Sequence, residues 1–194
     1  MVSVRLATQR DADACLEIYR PVVEETVTSF EAIAPEPATF GDRLVSVLRD
    51  YPWLVSVDDG AITGYAYACE HRGRAAYRWC VEVSAYVAQS RRRTGVGQTL
   101  YNALFACLRH QGFVNAYAGI GLPNTASVAF HESLGFEPVG VYRRIGYKLG
   151  EWRDVGWWSL RLGETEKPGE PRPLAECRGE LTALLEDRVT GGGD

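Results

Sequence analysis

The sequence predicts a mixed α/β domain. Segments of two-residue apolar alternation and segments of helical spacing interleave along the chain. An Asp59-Gly60 pair sits between two alternating runs, a strong hairpin signal. A strand-like run leads through a basic, glycine-containing loop directly into a helix-period stretch.

Taken in order, "VSVRLAT" alternates and reads as a first strand. "QRDADACLEIYRPVV" has acidic residues in an early turn and apolar positions at Ala14, Leu16, Ile18 and Tyr19, which predicts a helix ending near Pro21. "EETVTSFEAIAPEPATF" is β-branched and proline-containing, so it reads as a long loop. "FGDRLVSVLRDY" is a second amphipathic helix, and "WLVSVDDGAITGYAYACEH" a hairpin. "AYRWCVEVSAYVA" is a further strand. Helical spacing returns from about Gly95 to His110, with Val96, Leu100, Ala103, Leu104 and Cys107 on one stripe. "FVNAYAGIGL" is a strand, "NTASVAFHESLGF" a short helix, and "FEPVGVYRRIGYKL" and "WRDVGWWSLRL" two last strands. The order is β-α-α-β-β-β-α-β-α-β-β, without internal repeats.

The length, 194 residues, suits one domain, expected over residues 1–162. Residues 163–173, "GETEKPGEPRP", read as a linker, and residues 174–194 as a short helix with a disordered end, "VTGGGD". Leu174, Cys177, Leu181, Leu184 and Leu185 recur at roughly helical spacing, and the sequence leaves open whether this tail docks or frays. A net charge of −4 argues against bulk nucleic-acid binding. Five scattered cysteines without a C-x-x-C pair predict neither a disulfide framework nor a metal site, and fit reduced thiols in a cytoplasmic protein. No signal peptide is expected, and no apolar run approaches the roughly 20 residues of a membrane span.

The stretch "SRRRTGVGQTLY", residues 90–101, is the first candidate site. It lacks the lysine of a P-loop, and Leu100 stands where a dinucleotide fingerprint needs its third glycine. What remains is strand, basic glycine loop, helix. Its free N–H groups and helix dipole, with arginines beside them, suit a phosphate-bearing cofactor.

Arg92-x-x-Gly95-x-Gly97 after a strand resembles the R/Q-x-x-G-x-G/A loop of the GCN5-related N-acetyltransferases (GNAT), and "NTASVAFHESLGF" resembles that family's N-x-x-A/S-x-x-x-Y-x-x-x-G-F helix. The closer resemblance is to the phosphinothricin (bialaphos-resistance) acetyltransferases and their methionine sulfoximine and sulfone relatives, through "YPWLV", "AYRWCVEVSAYV", "RRTGVGQTLY", "GIGLPNTASVAFHESLGF" and "GYKLGEWRDVGWW". The resemblance implies a GNAT fold, a mixed and mostly antiparallel central sheet flanked by helices, here with a helical tail. It implies acetyl-CoA as cosubstrate, cradled by Arg92, Arg93, Thr94, Gly95, Val96, Gly97 and Gln98, and lined by Ala85, Tyr86, Val87, Asn124, Ser127 and Ser133.

It also places a general base at Glu82, whose pKa should rise if the carboxylate is desolvated, and makes His131 the second catalytic candidate, as acid or as a partner orienting the base. Tyr101, Tyr117 and Tyr147 stay open as the acid. Phe30, Arg72, Arg74, Tyr77 and Arg78 are the candidates for binding the acceptor, an amino-acid-like amine with an anionic group. Here "HRGR" departs from the subfamily's usual loop, which leaves the acceptor's identity open. No cysteine neighbours both Glu82 and the cofactor loop in the motif, so direct attack on the thioester is expected. Trp152, Trp157 and Trp158 suggest core or subunit contacts and, with the family's habit, a homodimer with Arg143, Arg144 and Lys148 near a shared entrance. The alternatives are an enzyme for another small amine or a peptide N-terminus, and a non-catalytic acyl-CoA sensor.

Overall fold

The computed structural model describes residues 2–190. Seven strands form one sheet in the order β1-β2-β3-β4-β5-β7-β6, antiparallel at every pairing except β4 with β5. They are β1 (Ser3–Leu6), β2 (Trp53–Asp58), β3 (Ala61–Glu70), β4 (Cys80–Val87), β5 (Asn115–Leu122), β6 (Glu137–Lys148) and β7 (Glu151–Arg161). The helices are α1 (Ala12–Glu25), α2 (Pro37–Asp50), α3 (Val96–Gln111), α4 (Thr125–Ser133) and α5 (Leu174–Thr190).

Each expected element is present, with several boundaries moved; the strand expected from Ala76 begins at Cys80, because Ala75–Tyr77 form a short 3-10 turn. The first helix does not stop at Pro21 but continues to Glu25, because Val22 and Val23 beyond the proline are buried and their packing outweighs one lost backbone bond. The second starts earlier, at Pro37, a position where the missing N–H costs nothing. Asp59 and Gly60 both have positive φ, as a tight hairpin turn between β2 and β3 requires.

α3 lies closely on the sheet through Leu100, Leu104 and Leu108, all fully buried. Gly64 permits the approach: a Cβ there would stand 2.9 Å from the Tyr86 carbonyl and 3.1 Å from Val96. The tail docks on the domain. Leu174, Cys177, Leu181 and Leu185 are buried, and α5 packs against β1, α2 and α3. The segment leading to it is tied down as well, by Gln111 Nε2 donating to the Asp50 and Arg172 carbonyls and Trp79 Nε1 donating to Gly169 O. Val189 and Thr190, expected to be disordered, close α5; the expected disorder of residues 191–194 lies outside the described residues.

The site is created by a parting of strands. β4 and β5 pair only over Cys80–Glu82 and Asn115–Tyr117, then diverge. From Val83 onward, β4 therefore has no strand partner on its β5 side, and its backbone groups face a cleft. All five cysteines are free, and among the described residues no helix is long and apolar enough to cross a membrane.

Candidate active site

The strand edge exposed by the parting ends at Val87, which lies against Gly97 where the loop enters α3. Arg91 is anchored to the hairpin by an ion pair with Asp58 at 2.9 Å. Arg92 and Arg93 are exposed and, among the described residues, form no ion pair. Arg93 (φ 62°) and Gly95 (φ 88°) are left-handed, and a Cβ on Gly95 would meet nothing within 4 Å. No side chain caps α3, so its first N–H groups stay free beside the two arginines. Thr94 and Gln98 are exposed, while the Val96 side chain is buried and can offer a ligand only its backbone. Gly97 has a different purpose from Gly95: its missing side chain makes room for the Phe130 ring, which a Cβ would approach to 3.2 Å. Free N–H groups beside two exposed arginines at a helix start are an arrangement that can hold an anion.

The cleft walls are Val83, Ser84, Ala85 and Tyr86 of β4, Ala118, Gly119 and Ile120 of β5, and Tyr101, Ser127 and His131 from the helices. The Tyr86 side chain turns into the aromatic core beside Tyr19 and Tyr65, so it presents backbone to the cleft. Val87 continues β4 beside Gly97. Asn124 caps α4, its Oδ1 accepting from Ser127 N at 3.1 Å. Ser133, at the far end of α4, donates to Phe130 O.

His131 is 7% exposed and doubly held. A carbonyl can only accept, so the 2.8 Å contact with Ser127 O places the proton on Nδ1. Nε2 then accepts the Tyr101 hydroxyl at 3.1 Å. Burial lowers the His131 pKa and raises that of Tyr101. A neutral ring whose one N–H is bound to backbone is an acceptor, not a ready acid.

Glu82 stands on β4 where the strands part. Its side chain keeps 30% exposure, so the desolvation that would make it a costly buried charge is not complete. It is not paired with Arg72 or Arg78; its partner is His71, with Nδ1 3.0 Å from Oε1. The carboxylate can only accept, so His71 donates. The His71 ring stacks on Tyr117 at 4.5 Å and meets Trp157 and Tyr77 edge-on. Cys69 faces Glu82 across β3 and β4, so a cysteine does neighbour the carboxylate. Burial pushes its thiol up to about 12, which makes it inert as a nucleophile.

Of the acceptor candidates, the structure brings Tyr77 next to the Glu82–His71 pair. Phe30 (38% exposed) reaches across from the 26–36 loop and lies over Gly121 and Gly146. Arg72 and Arg74 are solvent-exposed. Arg78 is committed elsewhere: it pairs with Glu170 of the tail at 2.6 Å and lies over Trp79. Lys148 is not at an entrance but buried, donating to the Val23 and Ser29 carbonyls and so pinning the Phe30 loop to β6. Arg143 pairs with Asp154, and Arg144 covers Trp152. Trp158 is buried, whereas Trp152 is exposed.

His71 was not among the sequence candidates. Cys69 pairs with Glu82 in the antiparallel register, so His71, two residues on, is a same-side diagonal neighbour. That register was the only signal, and the sequence does not print it.

Residues 4–157 match the Acetyltransferase (GNAT) domain. The chain belongs to the GNAT acetyltransferase family. This GNAT domain is 39% identical over 173 residues to the phosphinothricin N-acetyltransferase of Streptomyces viridochromogenes, covering 89% of this chain and 93% of that protein. It is 32% identical over 178 residues to the L-methionine sulfoximine/L-methionine sulfone acetyltransferase of Salmonella typhimurium, covering 86% and 98%. The crystal structure of a GNAT superfamily phosphinothricin acetyltransferase from Sinorhizobium meliloti in complex with AcCoA superposes with a TM-score of 0.83 at 36% identity, over 87% of this chain and 94% of that one. The mixed, mostly antiparallel sheet is therefore that of an acetyltransferase fold.

Proposed function

We propose that this GNAT enzyme transfers the acetyl group of acetyl-CoA to the amine of a small amino-acid-like acceptor of the phosphinothricin, methionine sulfoximine or methionine sulfone type. The observation that carries the reading is the position of Glu82: it is the last residue before β4 leaves β5, so a proton acceptor stands where the unpaired edge of β4 begins, the edge that leads on to the arginine-glycine loop before α3. The relatives' acceptors support the substrate class, and the neighbour's bound AcCoA supports the cosubstrate.

Arg92, Arg93 and the free N–H groups from Gly95 onward would hold the pyrophosphate, with the open space at Gly95 letting the backbone come close. The unpaired edge of β4, Val83 to Val87, supplies backbone groups to the acyl end. An α-amino group has a pKa of about 7.7–8.0 in peptides, so at neutral pH a base is needed. Glu82 takes one ammonium proton, and the freed nitrogen bonds to the thioester carbon. The C–S bond breaks, and the surplus proton on the acylated nitrogen passes to the departing thiolate, leaving the amide and CoASH. By accepting the Tyr101 hydroxyl, His131 fixes the Tyr101 ring in the cleft wall beside the unpaired edge of β4. The raised Cys69 thiol supports direct transfer without an acyl-enzyme.

A second copy would cover the exposed apolar side chains of β6 and β7, among them Val139, Ile145, Tyr147 and Trp152, making a homodimer. Free thiols suit a reducing, cytoplasmic setting.

The test is CoA release with phosphinothricin, methionine sulfoximine, methionine sulfone, a polyamine and a peptide N-terminus. Turnover confined to the first three is expected. Turnover with the polyamine or peptide alone would replace the acceptor class, and acetyl-CoA binding without any turnover would make the chain a sensor.

A further inference from the structure

We infer that His71 is a positioning residue for the reaction: its Nδ1–H fixes Oε1 of Glu82, so that Oε2 is the oxygen presented to the acceptor's amine. The inference rests on the reading of Glu82 as the base and names what sets its geometry.

Three observations carry it. The contact is 3.0 Å and charge-assisted on the acceptor side, and among the described residues Oε2 has no hydrogen bond. The donor is itself rigid: the ring lies flat on Tyr117, at an interplanar angle of 11°, and is flanked by Trp157 and Tyr77. The side chain is only 13% exposed, so water cannot readily replace it as the donor. A carboxylate on a strand otherwise has two free side-chain torsions beyond Cβ. A base that wanders by about an ångström loses up to roughly 10²-fold in rate, so a fixed donor at one oxygen has a catalytic consequence.

Neighbouring groups do not offer the same service. Arg72 and Arg74 lie in solvent, Arg78 is held by Glu170, and the Cys69 thiol is a weak donor. His71 also comes from beyond the end of β3, so it ties the connection between β3 and β4 to the point where β4 leaves β5.

The experiment compares His71→Phe, His71→Asn, Glu82→Gln and the double variant His71→Phe/Glu82→Gln, with kcat and KM measured separately for acetyl-CoA and acceptor. Phe keeps the stacked ring and deletes the donor; Asn loses the ring but puts an amide N–H where Nδ1–H stood. Expected are a fall in kcat of about 10- to 10²-fold for His71→Phe with the acetyl-CoA KM unchanged, clear recovery in His71→Asn, and a double variant no slower than Glu82→Gln alone. If Glu82→Gln is slow and His71→Phe is as fast as wild type, the base reading stands and this inference falls. A slow His71→Asn beside an unimpaired His71→Phe would make His71 a packing residue, and equal losses in both, with no rescue by the restored donor, would likewise overturn the inference. Full turnover in Glu82→Gln would overturn both readings, since there would be no base to position.

Discussion

Nε2 of His131 accepts the Tyr101 hydroxyl at 3.1 Å while its Nδ1–H is bound to Ser127 O at 2.8 Å. The ring is thereby fixed as a neutral acceptor inside the cleft wall, and burial holds its pKa below the usual 6.5. The unfolded chain then binds this proton more readily than the folded one. The His131 contribution to stability is complete above pH 6.5, its ordinary value, and declines as pH falls below it. Thermal melts of wild type and His131→Phe from pH 5 to 8 check this: the wild type should lose ground to the variant on the acid side. At neutral pH the variant, with Tyr101 unheld, should lose up to about 10²-fold in kcat.

Gly95 and Gly97 should separate on substitution although both belong to one motif. Gly95→Ala places a Cβ at φ 88° in open space, where the left-handed backbone costs about 1–2 kcal/mol. The cradle shifts to relieve it, and the acetyl-CoA KM should rise roughly tenfold with the acceptor KM unchanged. Gly97→Ala instead pushes on Phe130 and should show mainly as a lower melting temperature.

Phe30 lies where a Cβ on Gly146 would stand, and Lys148 pins its loop from the same strand. Gly146→Ala should displace the ring and raise the acceptor KM by roughly tenfold or more, leaving that of acetyl-CoA unchanged. Lys148→Met leaves the Val23 and Ser29 carbonyls without their donor and should cost about 1–3 kcal/mol in denaturant unfolding.

The tail should behave as part of the fold. Leu181, on the inner face of α5, is fully buried, so Leu181→Ala should cost about 2–5 kcal/mol. Glu180 joins α5 to Arg172 at 2.7 Å and to His110 at 2.7 Å, and these partners hold its carboxyl down at about 2. Its contribution is present above 4.5 and lost as pH falls from there toward 2, so tail release monitored by limited proteolysis should grow over that range and be weaker in its pH dependence for Glu180→Gln.

The fold was legible because its signals are local. Alternation, helical spacing and the Asp59-Gly60 turn each act over a few residues, and their order alone leads to the β-α-α-β-β-β-α-β-α-β-β chain. The loop into α3 was legible for the same reason: its arginines, its glycines and the helix start are contiguous. Pro21 misled because the apolar pair behind it packs against distant residues, and packing is not written beside the proline. The proposed acceptor side was legible only in part. It is assembled by register between β3 and β4, by a loop crossing to Gly146, and by aromatic rings from β5 and β7. Arg78 shows the cost of reading composition without register: as charge it suited an anionic acceptor, but the fold turns it to Glu170.

The central claim is that Glu82 removes the acceptor's proton, and the most direct measurement is CoA release by Glu82→Gln with phosphinothricin or methionine sulfone as acceptor, alongside its acetyl-CoA Kd. Glutamine keeps the shape of the side chain and its ability to accept from His71, but not the base. The account predicts a fall in kcat of about 10²–10⁴-fold with the acetyl-CoA Kd unchanged. Full turnover, or a loss of acetyl-CoA binding as large as the loss of kcat, would contradict it.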